Sequence, residues 1–199
     1  MKSAMKRKYD SSRRAENAAR TQQAIVEAAV KLHGQGIVAL SAVAEEAGVS
    51  LPTVNKYFPT REALFTACTR HLTESLEYPL PETLAAIADP AERTHTVVWH
   101  VFRLHEQTLG QMWTGYKLED ESRVLAAAVV HYEQIVNSLV DVLLRDQEDF
   151  AAVVRAILSP LAYRALRVKE KLDFETAVDQ TTHALAKILD VSIPAFARQ

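Results

Sequence analysis

Ser41-Ala-Val-Ala-Glu-Glu-Ala-Gly48-Val-Ser50-Leu-Pro52-Thr-Val-Asn-Lys-Tyr-Phe58 is the stretch whose reading decides the fold. It spells two short helices joined by a tight turn. Ala44, Ala47 and Val54 are small or apolar where the two helices must approach, and Val43 and Val49 fill in behind them. Gly48 falls where a positive φ would end the first helix, a conformation that only glycine adopts without strain. Ser50 can offer its hydroxyl to the free N–H groups of the next turn. Pro52 lies in that first turn, where a missing N–H costs nothing. This is the punctuation of a helix-turn-helix, whose second helix is the one that lies in a DNA major groove.

Working outward, a helix is expected from about Ala18 to Gln35, with Ile25, Ala28, Ala29 and Leu32 on one face and Gly34 and Gly36 ending it. Residues 1–17 are polar, with six Lys/Arg and almost nothing to bury, and are expected to form a basic disordered arm, either one that follows DNA phosphates or a minor groove or simply a solvated tail. After Phe58, Pro59 breaks the chain, Thr60 caps, and a further helix runs through Leu64, Phe65 and Cys68 to about Leu76. Tyr78-Pro79-Leu80-Pro81 reads as a boundary, so the expected domains are a DNA-binding unit over 18–77 and a helical body over 82–199. In the body, helices are expected at about 82–88, 91–109, 110–116, 120–145, 148–168 and 174–189, with Gly110 and Gly115 bracketing the short third and Pro160 splitting the fifth near Ser159. The class is all-α.

Composition agrees. Apolar residues make up 48% of the 199-residue chain and charged residues 24%, an ordinary balance for a soluble domain with a full core. The net charge of −2 hides an asymmetry: residues 1–71 hold 11 Lys/Arg against 6 Asp/Glu, whereas 72–199 hold 12 against 19. A basic part followed by an acidic part suits a polyanion-binding head on a body that repels polyanions. Cys68 is the single cysteine, which excludes a disulfide framework and fits a reducing cytoplasm. The charged N-terminus is not followed by an apolar h-region, and the run from Val124 to Val130 is too short to span a bilayer, so a soluble cytoplasmic protein is expected.

The central stretch also resembles the TetR family of transcriptional regulators. Ala47-Gly-Val-Ser50, Thr53-Val54, Tyr57-Phe58-Pro59 and Arg61-Glu-Ala-Leu64-Phe65 are similar to that family's AGVSxGTLYxHFxSKEAL pattern, and Ala24-Ile-Val-Glu-Ala-Ala29 to its first helix. Asn55 stands where the family usually has a tyrosine, Tyr57 where histidine is common and Arg61 where lysine is common. The link from Ala29 to Ala47 is shorter than usual, with Ala39 in place of a capping Ser or Thr. The resemblance implies a repressor whose two heads occupy successive major grooves of a palindromic operator on double-stranded DNA. It also implies a body that holds a small-molecule effector, whose entry releases the DNA.

Site residues follow. Leu51, Pro52, Thr53, Asn55 and Lys56 lie on the first two turns of the second helix, the part that reaches base edges. Asn pairs bidentately with adenine, Thr and Leu contact a thymine methyl, and Lys reaches guanine or a phosphate. Ser41, Ser50, Tyr57 and Arg61 complete the candidate DNA surface, with Arg suited to a forked phosphate contact. Trp99, Phe102, His105, Met112, Trp113, Tyr116, Tyr132 and Tyr163 are the candidate effector residues, or else plain core. A lone helix-turn-helix contacts few bases, so a homodimer is expected, its seam formed by Ala152, Ala156, Ala165, Val178, Thr181, Thr182, Leu185 and Leu189, the alternative being that these stripes only close a monomer's core. No cofactor or metal is expected, since metal-ligand spacings, phosphate loops and nucleophile elbows do not occur. The rival to a DNA-binding regulator is a helical interaction protein whose helix-turn-helix no longer reads DNA; the rival to both, an enzyme, finds no catalytic constellation.

Overall fold

A computed structural model describes residues 2–144 and 148–191, with side chains described for 13–144 and 149–191. Among the described residues every regular element is a helix: α1 (Lys2–Gly34), α2 (Leu40–Glu46), α3 (Leu51–Tyr57), α4 (Arg61–Ser75), α5 (Pro81–Ala85), α6 (Pro90–Leu118), α7 (Arg123–Val140), α8 (Ala151–Ile157), α9 (Pro160–Arg164) and α10 (Phe174–Ile188). Short 3₁₀ turns follow α7 and precede α8, and a π turn at Ala165–Lys169 extends α9.

The first four helices enclose one apolar cluster. Ile25, Ala29 and Leu32 of α1 meet Val43 and Ala44 of α2, Val54 of α3 and Leu64 and Cys68 of α4. α3 and α4 each start at a residue that supplies the missing acceptor. Ser50 Oγ accepts from Thr53 N at 3.3 Å and Thr60 Oγ1 from Ala63 N at 3.1 Å. Gly48 closes the turn between α2 and α3 at φ +65°, and Gly36 ends the first helical hairpin at φ +80°. Ala39 precedes α2 with no side-chain cap, and α2 is only seven residues long.

The body is organised on α6, which packs against α1, α5, α7, α9 and α10. Asp89 caps it and Pro90 opens it, and Val97, Val98, Val101, Phe102, Leu104, His105 and Thr108 form a fully buried stripe at helical spacing. Ser122 caps α7, Ser159 caps α9 and Asp173 caps α10. The split at Ser159 is the one the proline at 160 calls for.

Three expectations are corrected. The stretch 2–17 is not an irregular arm: α1 is continuous from Lys2, because no glycine or proline interrupts the chain before Gly34 and Lys, Arg and Ala favour helix. The helices expected at 91–109 and 110–116 are one, since Gly110 does not end α6. Gly110 is where α1 crosses: a Cβ there would lie 2.0 Å from the Gly34 carbonyl oxygen. Finally, Val178, Thr181, Thr182, Leu185 and Leu189 are at most 6% exposed, turned into the chain's own core rather than toward a second subunit.

Candidate nucleic-acid interface and the head–body cavity

α3 is held from behind and open in front. Val54 is fully buried, Phe58 nearly so, and Tyr57 packs half-buried against the head cluster. Ser41, Ser50, Leu51, Pro52, Asn55 and Lys56 are exposed, Leu51 at 40%. An exposed leucine and proline beside an exposed amide and ammonium make a surface that offers both apolar and hydrogen-bonding contacts. Thr53 is partly covered and its hydroxyl lies 2.8 Å from Ser50 Oγ. Lys56 Nζ stands 5.6 Å from the Tyr57 ring centre. Arg61 is turned to the body: its guanidinium lies over the Phe65 ring and 3.8 Å from Glu121. An exposed pair of that length contributes ~0–1 kcal/mol, so it yields readily to another anion.

Head and body meet along α1 against α6 and α4 against α7. Thr114 Oγ1 donates to the His33 carbonyl at 2.7 Å, and Ser122 Oγ donates to Glu62 Oε2 at 2.9 Å. The Val124 N–H reaches the same Glu62 oxygen at 3.4 Å. Glu62 therefore ties the first turn of α4 to the first turn of α7.

Between these seams lies a cavity of about 80 Å³, walled by α1 and α4 on one side and α6 and α7 on the other. Its lining is mainly apolar, with Phe65, Leu72 and Leu76 from the head and Met112, Leu125 and Ala128 from the body. His33 is 6% exposed, sits edge-on to Phe65, and its Nε2 has no hydrogen-bond partner. Burial pushes its pKa down to about 4, so the ring is neutral at neutral pH. Burial also pushes the Cys68 thiol up to about 12, which leaves it unreactive.

The aromatic residues singled out in the sequence scatter. Met112 and Tyr132 line this cavity. His105, Met112, Trp113 and Tyr116 border a much smaller void, where Arg164 stacks 3.9 Å over Trp113. Trp99 packs edge-on to Phe174, and the Phe102 and Tyr163 rings lie tilted with centres 4.6 Å apart within the core, so these three line neither space. His105 is core as well. Its Nε2 donates to the Leu158 carbonyl at 2.9 Å, so Nδ1 accepts from the Tyr132 hydroxyl at 2.9 Å. Burial pushes its pKa down to about 4 against the opposing pull of that carbonyl. Tyr116 donates to Glu133, and Tyr163 to Glu106, which Arg167 grips with two nitrogens and holds below the ordinary carboxylate range. His33, one of the head residues on the cavity wall, was missed in the sequence. The only signal was a histidine on the apolar face of α1, one position before Gly34.

Among the described residues no group of three or more His, Cys, Asp or Glu is placed to hold a metal, and no helix is long and apolar enough to cross a membrane. A capped, exposed second helix on a three-helix core defines a helix-turn-helix DNA-binding protein. Residues 25–68 match the family model for bacterial regulatory proteins of the tetR family, so the head carries that family's DNA-binding domain. A TetR-like transcriptional regulator from Rhodococcus sp. RHA1 superposes with a TM-score of 0.62 at 15% identity, covering 84% of this chain and 95% of that one. A second transcriptional regulator from the same strain gives 0.62 at 19% identity over 86% and 99%. At such identities the likeness is one of fold. No curated protein matches the chain. Regulators of this family bind DNA and are not enzymes.

Proposed function

We propose that the protein is a repressor that binds a palindromic operator as a homodimer and lets go when a small molecule enters the body. The observation that carries the DNA reading is α3 itself, with Leu51, Pro52, Asn55 and Lys56 exposed on the helix that Ser50 caps and Val54 anchors. Asn55 and Lys56 read base edges. Arg61 exchanges Glu121 for a phosphate, and the basic residues of α1 add sequence-independent attraction.

The dimer reading moves to α8 and α9. Ala152, Val153, Ala156, Leu161, Ala165 and Val168 are all exposed, an apolar row on two consecutive helices that a second copy would cover. Half-sites would then lie about 34 Å apart or a multiple of that. The effector reading rests on the cavity between head and body, since a ligand touching both sides changes how they sit together. It shifts DNA binding only by its difference in affinity between the two arrangements.

The test is binding of host genomic fragments by fluorescence anisotropy across a salt series. Arg61→Ala should weaken every sequence alike and lower the salt slope by about one. Asn55→Ala or Lys56→Ala should relax sequence preference, at about 1–3 kcal/mol per lost base contact. Binding indifferent to all three changes rules out α3 as the reading helix.

A further inference from the structure

We propose that the cavity between α1, α4, α6 and α7 takes a small uncharged molecule, mainly apolar with one hydroxyl, such as a phenol, held by a hydrogen bond to His33 Nε2. This deepens the effector reading above and rests on it only for the consequence at DNA.

Four observations converge on that chemistry. First, His33 Nε2 is buried with no partner, at a cavity wall. A buried polar atom left unpaired is costly, and a ligand hydroxyl removes that cost. Second, the other buried polar side chains on the wall are engaged, and Thr69, Thr73 and His131 are partly or fully exposed. Thr114 donates to the His33 carbonyl, Gln111 Nε2 lies 3.4 Å from the Val30 carbonyl, and Thr108 and Tyr132 bond each other and their neighbours. Among the wall's buried groups, His33 Nε2 alone has a hydrogen bond on offer. Third, no Lys, Arg, Asp or Glu lines the cavity, and His131 lies at an exposed position on it. A carboxylate or ammonium would be stripped of water with no counter-charge to meet it. Fourth, the volume of about 80 Å³ exceeds the roughly 10–15 Å³ one water needs, yet fits only a compact molecule.

Neutral imidazole has one donor and one acceptor nitrogen, and a hydroxyl can answer either, whereas a ketone or an ether cannot. Phe65 and Leu72 from the head, with Met112 and Ala128 from the body, supply the apolar walls on which a ring would pack. The ligand would thus bridge α1 and α4 to α6 and α7, the same helices that Thr114 and Glu62 tie together.

Isothermal titration calorimetry of the full chain with phenol, toluene and benzoate tests this. Phenol should bind saturably, toluene roughly tenfold more weakly because it lacks the hydroxyl, and benzoate not detectably. His33→Leu should leave phenol and toluene within about twofold of each other. Ala128→Trp, which fills the cavity from the body side and leaves His33 unsubstituted, should abolish both, with helical circular dichroism confirming that it folds. Equal affinities for phenol and toluene in the wild type, no saturable phenol binding, or a tenfold preference that survives His33→Leu would each overturn the site. Anisotropy with bound operator separates the two readings. Phenol that binds as described yet leaves DNA affinity unchanged upholds the site and overturns its role as the effector site.

Discussion

Gly110→Ala tests how head and body are joined. An added Cβ would lie 2.0 Å from the Gly34 carbonyl oxygen, 2.8 Å from its carbon and 2.9 Å from its Cα. All three are backbone atoms of α1, so no side chain can swing aside. To restore an ordinary contact of about 3.5 Å, α1 must withdraw from α6 by roughly 1.5 Å. Overpacking of this kind costs about 1–3 kcal/mol. The withdrawal also stretches the bond from Thr114 Oγ1 to the His33 carbonyl, now 2.7 Å, which is worth about 1 kcal/mol. Against this, alanine in a helix interior returns about 1 kcal/mol over glycine. The net is a loss of about 2 kcal/mol, or roughly 4–8 °C in Tm for a chain of this size. Gly34→Ala is the control. Its Cβ would meet Gln111 Nε2 at 2.8 Å, the far end of a flexible side chain, so it should be near neutral or slightly stabilising. Thermal unfolding followed by circular dichroism decides the matter. A Gly110→Ala protein that melts at or above the wild-type temperature refutes the account of this glycine as a close-approach residue.

Three further outcomes are expected. His33 and His105 are both held near 4 by burial, so the unfolded chain takes up their protons first as pH falls. Stability is therefore full above about pH 6.5 and lost toward pH 4, by about 2 kcal/mol per histidine at pH 5, and His33→Leu should remove one share from the urea midpoints at neutral and acid pH. Glu62→Ala leaves the Ser122 hydroxyl and the Val124 N–H without their acceptor and should cost about 1–2 kcal/mol, most of it recovered by Glu62→Gln; equal melting temperatures for all three proteins would discard the tie. Ala156→Glu on the exposed α8 row should yield a folded monomer by light scattering, whereas Thr181→Glu, which buries a charge in the chain's own core, should unfold; a dimeric Ala156→Glu protein would place the seam elsewhere.

What the sequence determined by itself is the helix-turn-helix, because its instructions are local. A turn glycine at 48, a capping serine at 50 and a helix-opening proline at 52 act within one or two turns of their own position. Thr60 and Ser159 are legible for the same reason: a cap depends on residues three apart and on nothing distant. The tertiary structure decided whatever depends on the element opposite. Gly110 looks the same as a helix breaker or as a crossing point until α1 is laid against it. Periodicity in α10 announces an apolar face, but the neighbour that covers it is α6 of the same chain. Likewise His105 and His33 are both histidines on apolar helix faces. Distant partners, Tyr132 and the Leu158 carbonyl, engage the first completely, while the second is left with one nitrogen free at the wall between head and body.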